Sequence, residues 1–181
     1  VFVLKLIWWF VPELQIMGAF IMRTMLLSFK PEWFNKIKDG SKIFEYRRTF
    51  PDEEIIAYMY VSTPMKQIVG RVHLGKKIDI HTWKEQYQGD QQVCQRIDDY
   101  LQRHTYAMPI LSFQMTKAIE LKTLRKFDPK FVCPQMYYYL DKYPELFAFI
   151  QNNATDMGEK IVHSFEHISR DEICRKQYQG R

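Results

Sequence analysis

The sequence has few cysteines, few glycines and no long uncharged apolar run, and each shortage argues against a class of protein. The three cysteines, Cys94, Cys133 and Cys174, are odd in number and widely spaced, with no Cys-x-x-Cys pair. This usage argues against a disulfide framework or a zinc knuckle and fits a reducing cytoplasm best. No glycine-rich phosphate loop, Ser-His-Asp order, repeat or low-complexity run stands out.

The first 22 residues are apolar but are interrupted by Lys5, Pro12 and Glu13. No uncharged run there reaches the length of a membrane span, and the parts of a signal peptide are not well formed. We therefore expect residues 1–21 to be an extension outside the folded domain, with translation beginning at Met22 or Met25 and no membrane partner. A membrane-surface anchor and a packed extra element are the alternatives.

The composition predicts one folded domain with an anionic partner. A chain of 181 residues with 46% apolar and 15% aromatic residues can bury a sizeable core. A net charge of +5 and a pI near 9.0 favour anionic partners, nucleic acid first among them. The excess is modest, and many ordinary enzymes are equally basic.

Residues 25–48 are predicted to form a strand, a short helix, a turn and a second strand. Residues 25–29 are a short apolar run, Pro31 suits the first turn of a helix, and Asp39-Gly40 ends that helix. Residues 42–48 follow as the second strand.

Alternation along the second strand separates its side chains into two groups. Phe44 and Tyr46 are expected to face the core, which leaves Glu45 and Arg47 together on the opposite face. Together with Lys30 and Lys42 they would make a cationic cluster around one carboxylate, which costs electrostatic free energy unless it has a use.

The rest of the pattern predicts an α+β protein with a mixed, largely antiparallel sheet or small barrel. Residues 55–61 are apolar throughout, which is typical of a strand covered on both sides, and Gly70 indicates a bulge or a close backbone approach. The other predicted elements are strands at 67–74 and 111–121 and helices at 79–106 (broken at Gly89-Asp90), 135–152 (broken before Pro144) and 156–168.

Three short motifs in this region carry a family resemblance. They are Ser28-Phe29-Lys30-Pro31, Gly40-Ser41-Lys42 and Glu45-Tyr46-Arg47, and an apolar strand followed by Ser62-Thr63-Pro64 extends the likeness. With these motifs the chain resembles the ASCH domain, a branch of the PUA-like superfamily. The resemblance is convincing over residues 25–75 and extends to about residue 125.

The resemblance implies a PUA-like, largely antiparallel β-barrel with flanking helices and a cleft beside the first helix. We place this domain at residues 22–127 and expect residues 128–181 to form a C-terminal helical extension packed on the domain or trailing it. The resemblance also implies that the cleft binds RNA or a nucleotide, through Lys30, Lys42, Glu45 and Arg47, with Thr63 and Lys66 at its rim.

The chemistry of these residue types agrees with a nucleic-acid ligand. Lysine and arginine bind phosphates, and Arg47 can hold a phosphate or a base edge with two parallel hydrogen bonds. Glu45 can accept a hydrogen bond from Arg47 or from the amino group of a base. Trp33, Phe44 and Tyr46 are either stacking platforms for bases or, by the ordinary interpretation, core residues.

Three other interpretations of the same residues stay open. Some small ASCH proteins are amidohydrolases acting on acetylated cytidine, with a threonine nucleophile three residues after the lysine. Here that position holds Glu45, so Lys42 and Glu45 are the catalytic candidates. A further catalytic glutamate of those enzymes has no fixed counterpart in this sequence, and Glu85 is the candidate for it. Hydrolysis of RNA has the same standing. The cleft could instead bind a non-nucleic anion in a regulatory module, or Lys42, Glu45 and Arg47 could be an ion-pair network that fixes the strand.

No cofactor or metal is expected. His163 and His167 lie four residues apart on the predicted final helix, which is a metal-ligand spacing. Two ligands make an incomplete site, so surface histidines are the simpler interpretation.

Overall fold

The computed structural model describes residues 22–175, so the expectation for residues 1–21 lies outside the described residues. The strands are β1 (Arg23–Phe29), β2 (Phe44–Arg47), β3 (Ile55–Val61), β4 (Gln67–Leu74), β5 (Ile78–Asp79), β6 (Tyr106–Glu120), β7 (Tyr137–Tyr139) and β8 (Ile161–Val162). The α-helices are α1 (Pro31–Lys38), α2 (Ile80–Gln86), α3 (Gln91–Leu101), α4 (Leu121–Phe127) and α5 (Pro144–Asn153).

Within residues 22–175 the strands form one mixed, curled sheet in the order β2-β6-β4-β3-β1-β7, with β5 and β8 also paired to β6. β1 and β3 are parallel, and the other pairings are antiparallel. The long β6 pairs with β2 through its first residues and with β4 through the rest, so it curves the sheet into a half barrel. The predicted α+β class and largely antiparallel sheet are confirmed.

Apolar side chains on both faces explain the uninterrupted apolar sequence of β3. Ile55, Ala57, Met59 and Val61 pack into the core that also holds Phe34 of α1. The alternate residues of β3 face a second core beneath α4 and α5. A strand buried on both faces excludes polar residues from every position, as the sequence predicted.

Gly70 is a close-approach position, as expected. A Cβ added there would lie 2.7 Å from the carbonyl oxygen of Gln114 and 2.7 Å from the ring of Phe113. The pairing of β4 with β6 also shifts register between Ile68 and Gly70, which marks a bulge. Any side chain at this position would push the two strands apart.

The predicted helix over residues 135–152 is wrong in its first half. Tyr137–Tyr139 instead form β7, which pairs with Met25–Leu27 of β1 and extends the sheet. Three consecutive tyrosines favour a strand, and the edge of β1 offers backbone partners for them. The helix begins only at Pro144, which occupies its first turn.

The predicted helix over residues 156–168 is wrong. Asp156 makes a bridge with Thr116, and Ile161–Val162 pair with Ser112–Phe113 of β6. Gly158, between them, has a φ of +66°, a left-handed conformation that interrupts a right-handed helix. Backbone groups of β6 make hydrogen bonds with this segment, so it packs on the sheet as extended chain. Within residues 128–175 the helical parts are α5 and a short 3-10 turn at Leu140–Lys142.

Among residues 22–175, no helix combines the length and the apolar character needed to traverse a bilayer.

Candidate functional site

The candidate site begins where β1 passes into α1. Lys30 precedes the helix in extended conformation, Pro31 opens it, and Phe34 and Ile37 anchor it to the core. Gly40 follows the helix with a φ of +76°, so the chain turns back sharply into β2. This return places β2 beside the start of α1.

Lys42, which precedes β2, forms a charge network with Glu45 and Arg47 of that strand. Lys42 Nζ lies 3.2 Å from Oε2 of Glu45, and Arg47 Nε donates to Oε1 of Glu45 at 2.7 Å. Arg47 Nη2 also donates to the carbonyl oxygen of Ser28 at 2.9 Å, which ties β2 to the end of β1. The carboxylate therefore holds one cation on each of its oxygens.

The network is largely sealed from water. The side chains of Lys42 and Glu45 are 5% and 6% exposed, whereas that of Arg47 is 17% exposed. The ammonium of Lys42 lies 5.1 Å from the centre of the Trp33 ring and 5.4 Å from that of Tyr46. Aromatic faces thus supply part of the stabilisation that water would give this cation.

Burial and charge act in opposite directions on the carboxyl group of Glu45. Burial alone would raise its pKa, but the charges of Lys42 and Arg47 and their hydrogen bonds outweigh burial and lower it. Burial lowers the pKa of Lys42, and the charge and hydrogen bond of Glu45 offset this shift only in part. Glu45 is therefore ionised at neutral pH.

This lowered pKa predicts how acid destabilises the protein. A carboxyl group whose pKa is lower when folded stabilises the protein above its unfolded pKa of about 4.3, and that contribution is lost as the pH falls through the folded value. We expect the free energy of unfolding of the parent to fall more steeply below about pH 4 than that of Glu45→Gln. Urea titrations at several acid pH values measure both slopes, and equal slopes would contradict the assignment.

An open cleft of about 930 Å³ lies against this network, and among the described residues its charged lining consists of four cationic side chains and two carboxylates. The cations are Lys30, Arg47, Arg48 and Arg103, and the carboxylates are Glu32 and Glu45. Ser28, Trp33, Tyr46, Ser62, His104, Pro134 and Gln135 also line it.

The site residues predicted from the sequence divide into those that line the cleft and those that do not. Lys30, Glu45 and Arg47 line the cleft, and Lys42 lies behind Glu45 without lining it. Thr63, Lys66 and Glu85 are exposed but do not line it. Ser62, next to Thr63, lines the cleft, and Glu85 on α2 does not join the charge network.

Sequence reasoning missed the contribution of the chain after α3. Thr105 N donates to the carbonyl oxygen of Arg47 at 3.1 Å, and this bond brings Arg103 and His104 to the cleft. The ring of His104 lies 6.2 Å from that of Tyr46, and burial lowers the pKa of this imidazole. No local motif could have revealed them, because strand pairing between β2 and β6 creates the contact.

The aromatic residues near the site also fall into two groups, core residues and a residue at the cleft. Phe44 and Tyr46 are 1% and 8% exposed and pack in a third core with residues of α2, α3 and the C-terminal segment. Both are core residues, although Tyr46 also lines the cleft. Trp33 is half-buried at the cleft, where an incoming ring could meet it.

Metal binding by His163 and His167 finds no support, because the helix that would align them does not form. Within residues 22–175 no group of three or more histidine, cysteine or acidic side chains could hold a metal ion. His163 is half-buried near Gly40, whereas His167 is exposed.

The half barrel, α1 and the charge network together define a small α+β domain with its open cleft beside the first helix. A family model described as the ASCH domain matches residues 27–145, about two thirds of the chain. The chain belongs to the ASCH domain family.

Solved structures of the ASCH protein of Zymomonas mobilis share this fold. A serine-to-alanine mutant of that protein aligns with a TM-score of 0.57 at 22% identity, over 74% of this chain and 97% of that one. A structure titled simply as ASCH from the same organism aligns with a TM-score of 0.52 at 22% identity, over 70% of this chain and 94% of that one. At this identity the likeness concerns the fold. No curated protein matches the sequence.

Proposed function

We propose that this protein binds single-stranded RNA or a nucleotide in the cleft, with phosphates at its cationic rim and a base edge at Glu45 and Arg47. The observation that carries the proposal is the carboxylate of Glu45, ionised, buried and held between two cations at the inner wall of an open cleft. Membership of the ASCH family supports the same assignment.

The cationic residues have different roles in this proposal. Lys30, Arg48 and Arg103 are exposed and suit the mobile, solvated contacts that phosphates make. Arg47 is fixed by Glu45 and Ser28 through Nε and Nη2, and its guanidinium carries further N–H donors. A fixed donor beside a fixed acceptor suits recognition of a planar base edge.

Hydrolysis of an acetylated nucleoside or of RNA has less support. The carboxylate of Glu45 has a lowered pKa and two cationic partners, which makes it a poor general base. Incubation with acetylated cytidine and with RNA should therefore leave both intact. Turnover that disappears in Glu45→Gln would favour the hydrolase instead.

The setting is proposed to be the cytoplasm. Cys94, Cys133 and Cys174 are unpaired in the described structure, as a reducing compartment allows. RNA and nucleotides are available there.

Binding should depend on pH through His104. Burial lowers the pKa of this imidazole, so it is neutral at pH 7 in the free protein, and a bound phosphate nearby would favour its protonated form. Affinity for a labelled single-stranded RNA should rise as the pH falls from about 7.5 to about 5.5, while Glu45 stays ionised.

Fluorescence anisotropy of the parent and His104→Gln tests this dependence. The variant should bind with a nearly constant affinity over the same pH range. A parent curve without pH dependence would contradict a phosphate near His104, and absence of any RNA binding would contradict the proposed function itself.

A further inference from the structure

A second cavity, of about 540 Å³, opens next to the cleft. It is a groove lined by residues of the 128–138 segment together with Tyr143 and Leu146. The function proposed above does not use it.

The groove and the cleft adjoin each other. Pro134 and Gln135 line both of them. The backbone of Ser28 fixes this junction, because its N–H donates to the carbonyl oxygen of Met136 at 2.8 Å while its own carbonyl oxygen accepts from Arg47 at 2.9 Å. A single residue of β1 therefore holds the groove segment on one side and the cleft arginine on the other.

The surface of the groove differs from that of the cleft. Val132, Met136 and Tyr143 are 72%, 43% and 51% exposed and line the same groove, so they group exposed apolar surface in one place. The Tyr143 ring packs against the ring of Tyr138, with 5.3 Å between the centroids and 67° between the planes. One tyrosine thus supports the other, and an aromatic surface stays available to a ligand.

The charges of the groove are few. Asp128 Oδ1 accepts from the backbone N–H of Lys130 at 2.9 Å, so this carboxylate is occupied locally. Lys130 adds one exposed cation. An exposed aromatic surface beside a cationic cleft is the combination with which proteins hold single-stranded nucleic acid, through stacked bases and neutralised phosphates.

We infer that the ligand is an oligonucleotide, and that a single strand held in the cleft continues across Pro134 and Gln135 into the groove, where a base stacks on Tyr143. This inference rests on the proposed function. It adds a second subsite in the groove. It also names the ligand class, because a mononucleotide bound in the cleft would not extend into the groove.

The test combines a series of ligand lengths with a change confined to the groove. Binding of adenosine monophosphate, a triadenylate and a decaadenylate is measured for the parent, Tyr143→Ala and the ring-preserving Tyr143→Phe. The parent should bind the decamer much more tightly than the monophosphate. Tyr143→Ala should weaken decamer binding by about fivefold or more and leave monophosphate binding unchanged, and Tyr143→Phe should behave as the parent.

Two controls make the outcomes distinct. Thermal unfolding of the variants checks that the fold is kept, and Val162→Ala, which removes exposed apolar surface on β8, should bind as the parent. If Tyr143→Ala leaves decamer binding unchanged, the inference is wrong, whereas the proposed function stands. A groove that binds an apolar peptide would give this result. Failure of every RNA length to bind overturns both.

Discussion

Removing two exposed arginines from the cleft should weaken RNA binding by about tenfold or more at moderate salt. Arg48 and Arg103 both line the cleft and are exposed, so their replacement by alanine removes phosphate partners without opening the core. The dependence of log affinity on log salt concentration should also become shallower, by about 0.7 for each charge lost from a single-strand complex. Anisotropy titrations over about 50 to 300 mM salt give both quantities.

A matched pair controls for net charge. Lys117 and Lys160 are exposed and do not line the cleft, so Lys117→Ala with Lys160→Ala removes the same charge elsewhere. This pair should keep nearly the parent affinity and slope. Equal losses in both pairs would mean that RNA binds the general positive charge of the protein, and the cleft would lose its assigned role.

Glu45→Ala should lower the free energy of unfolding by about 3 to 5 kcal/mol. The substitution leaves the Lys42 ammonium buried against Trp33 and Tyr46 without its carboxylate, and an uncompensated buried charge is costly. It also releases Arg47 from its 2.7 Å bond. Because small domains are stable by only about 5 to 15 kcal/mol, this is a large fraction of the total.

Lys42→Met is the matched comparison, and urea unfolding measures both variants. Methionine keeps the apolar contacts with the two rings, and Glu45 keeps its bond to Arg47, so we expect a smaller loss than in Glu45→Ala. The double variant Lys42→Met with Glu45→Gln should recover much of the stability, since no buried charge is then unpaired. A change within about 0.5 kcal/mol for Glu45→Ala would contradict a buried network and indicate ordinary surface ion pairs.

Two residues of this network, Glu45 and Arg47, could be found from the sequence. Alternation in β2 separated Phe44 and Tyr46 from Glu45 and Arg47, and the structure buries the two rings in a core on one side. Period-two patterning fixes faces reliably because a strand offers only two. The sequence did not reveal that the Lys42 side chain is buried behind Glu45, because its burial depends on a contact with the Trp33 ring of α1.

Residues 156–168 illustrate the opposite case. The spacing of Ile161, Phe165 and Ile168 predicted a helix, yet these side chains pack against the body of the protein from an extended and turning chain. The spacing was a correct signal of burial and a wrong signal of conformation. The segment is extended because the backbone of β6 supplies its hydrogen-bond partners, which no local sequence pattern could indicate.

The cleft itself could be predicted only in part. Lys30, Glu45 and Arg47 come from neighbouring elements of one continuous segment, so their approach follows from a strand, a helix and a return strand. Arg103 and His104 come from the chain after α3 and reach the cleft through the bond between Thr105 and Arg47. Such long-range contacts need the sheet order, which the sequence pattern did not give.

The salt dependence of RNA binding by the parent protein tests the central claim most directly. With four cationic side chains lining the cleft, a plot of log affinity against log salt concentration should fall with a slope of about −2 to −3. A slope shallower than about −0.7, the value for a single phosphate, would show that the cleft does not hold a nucleic-acid backbone.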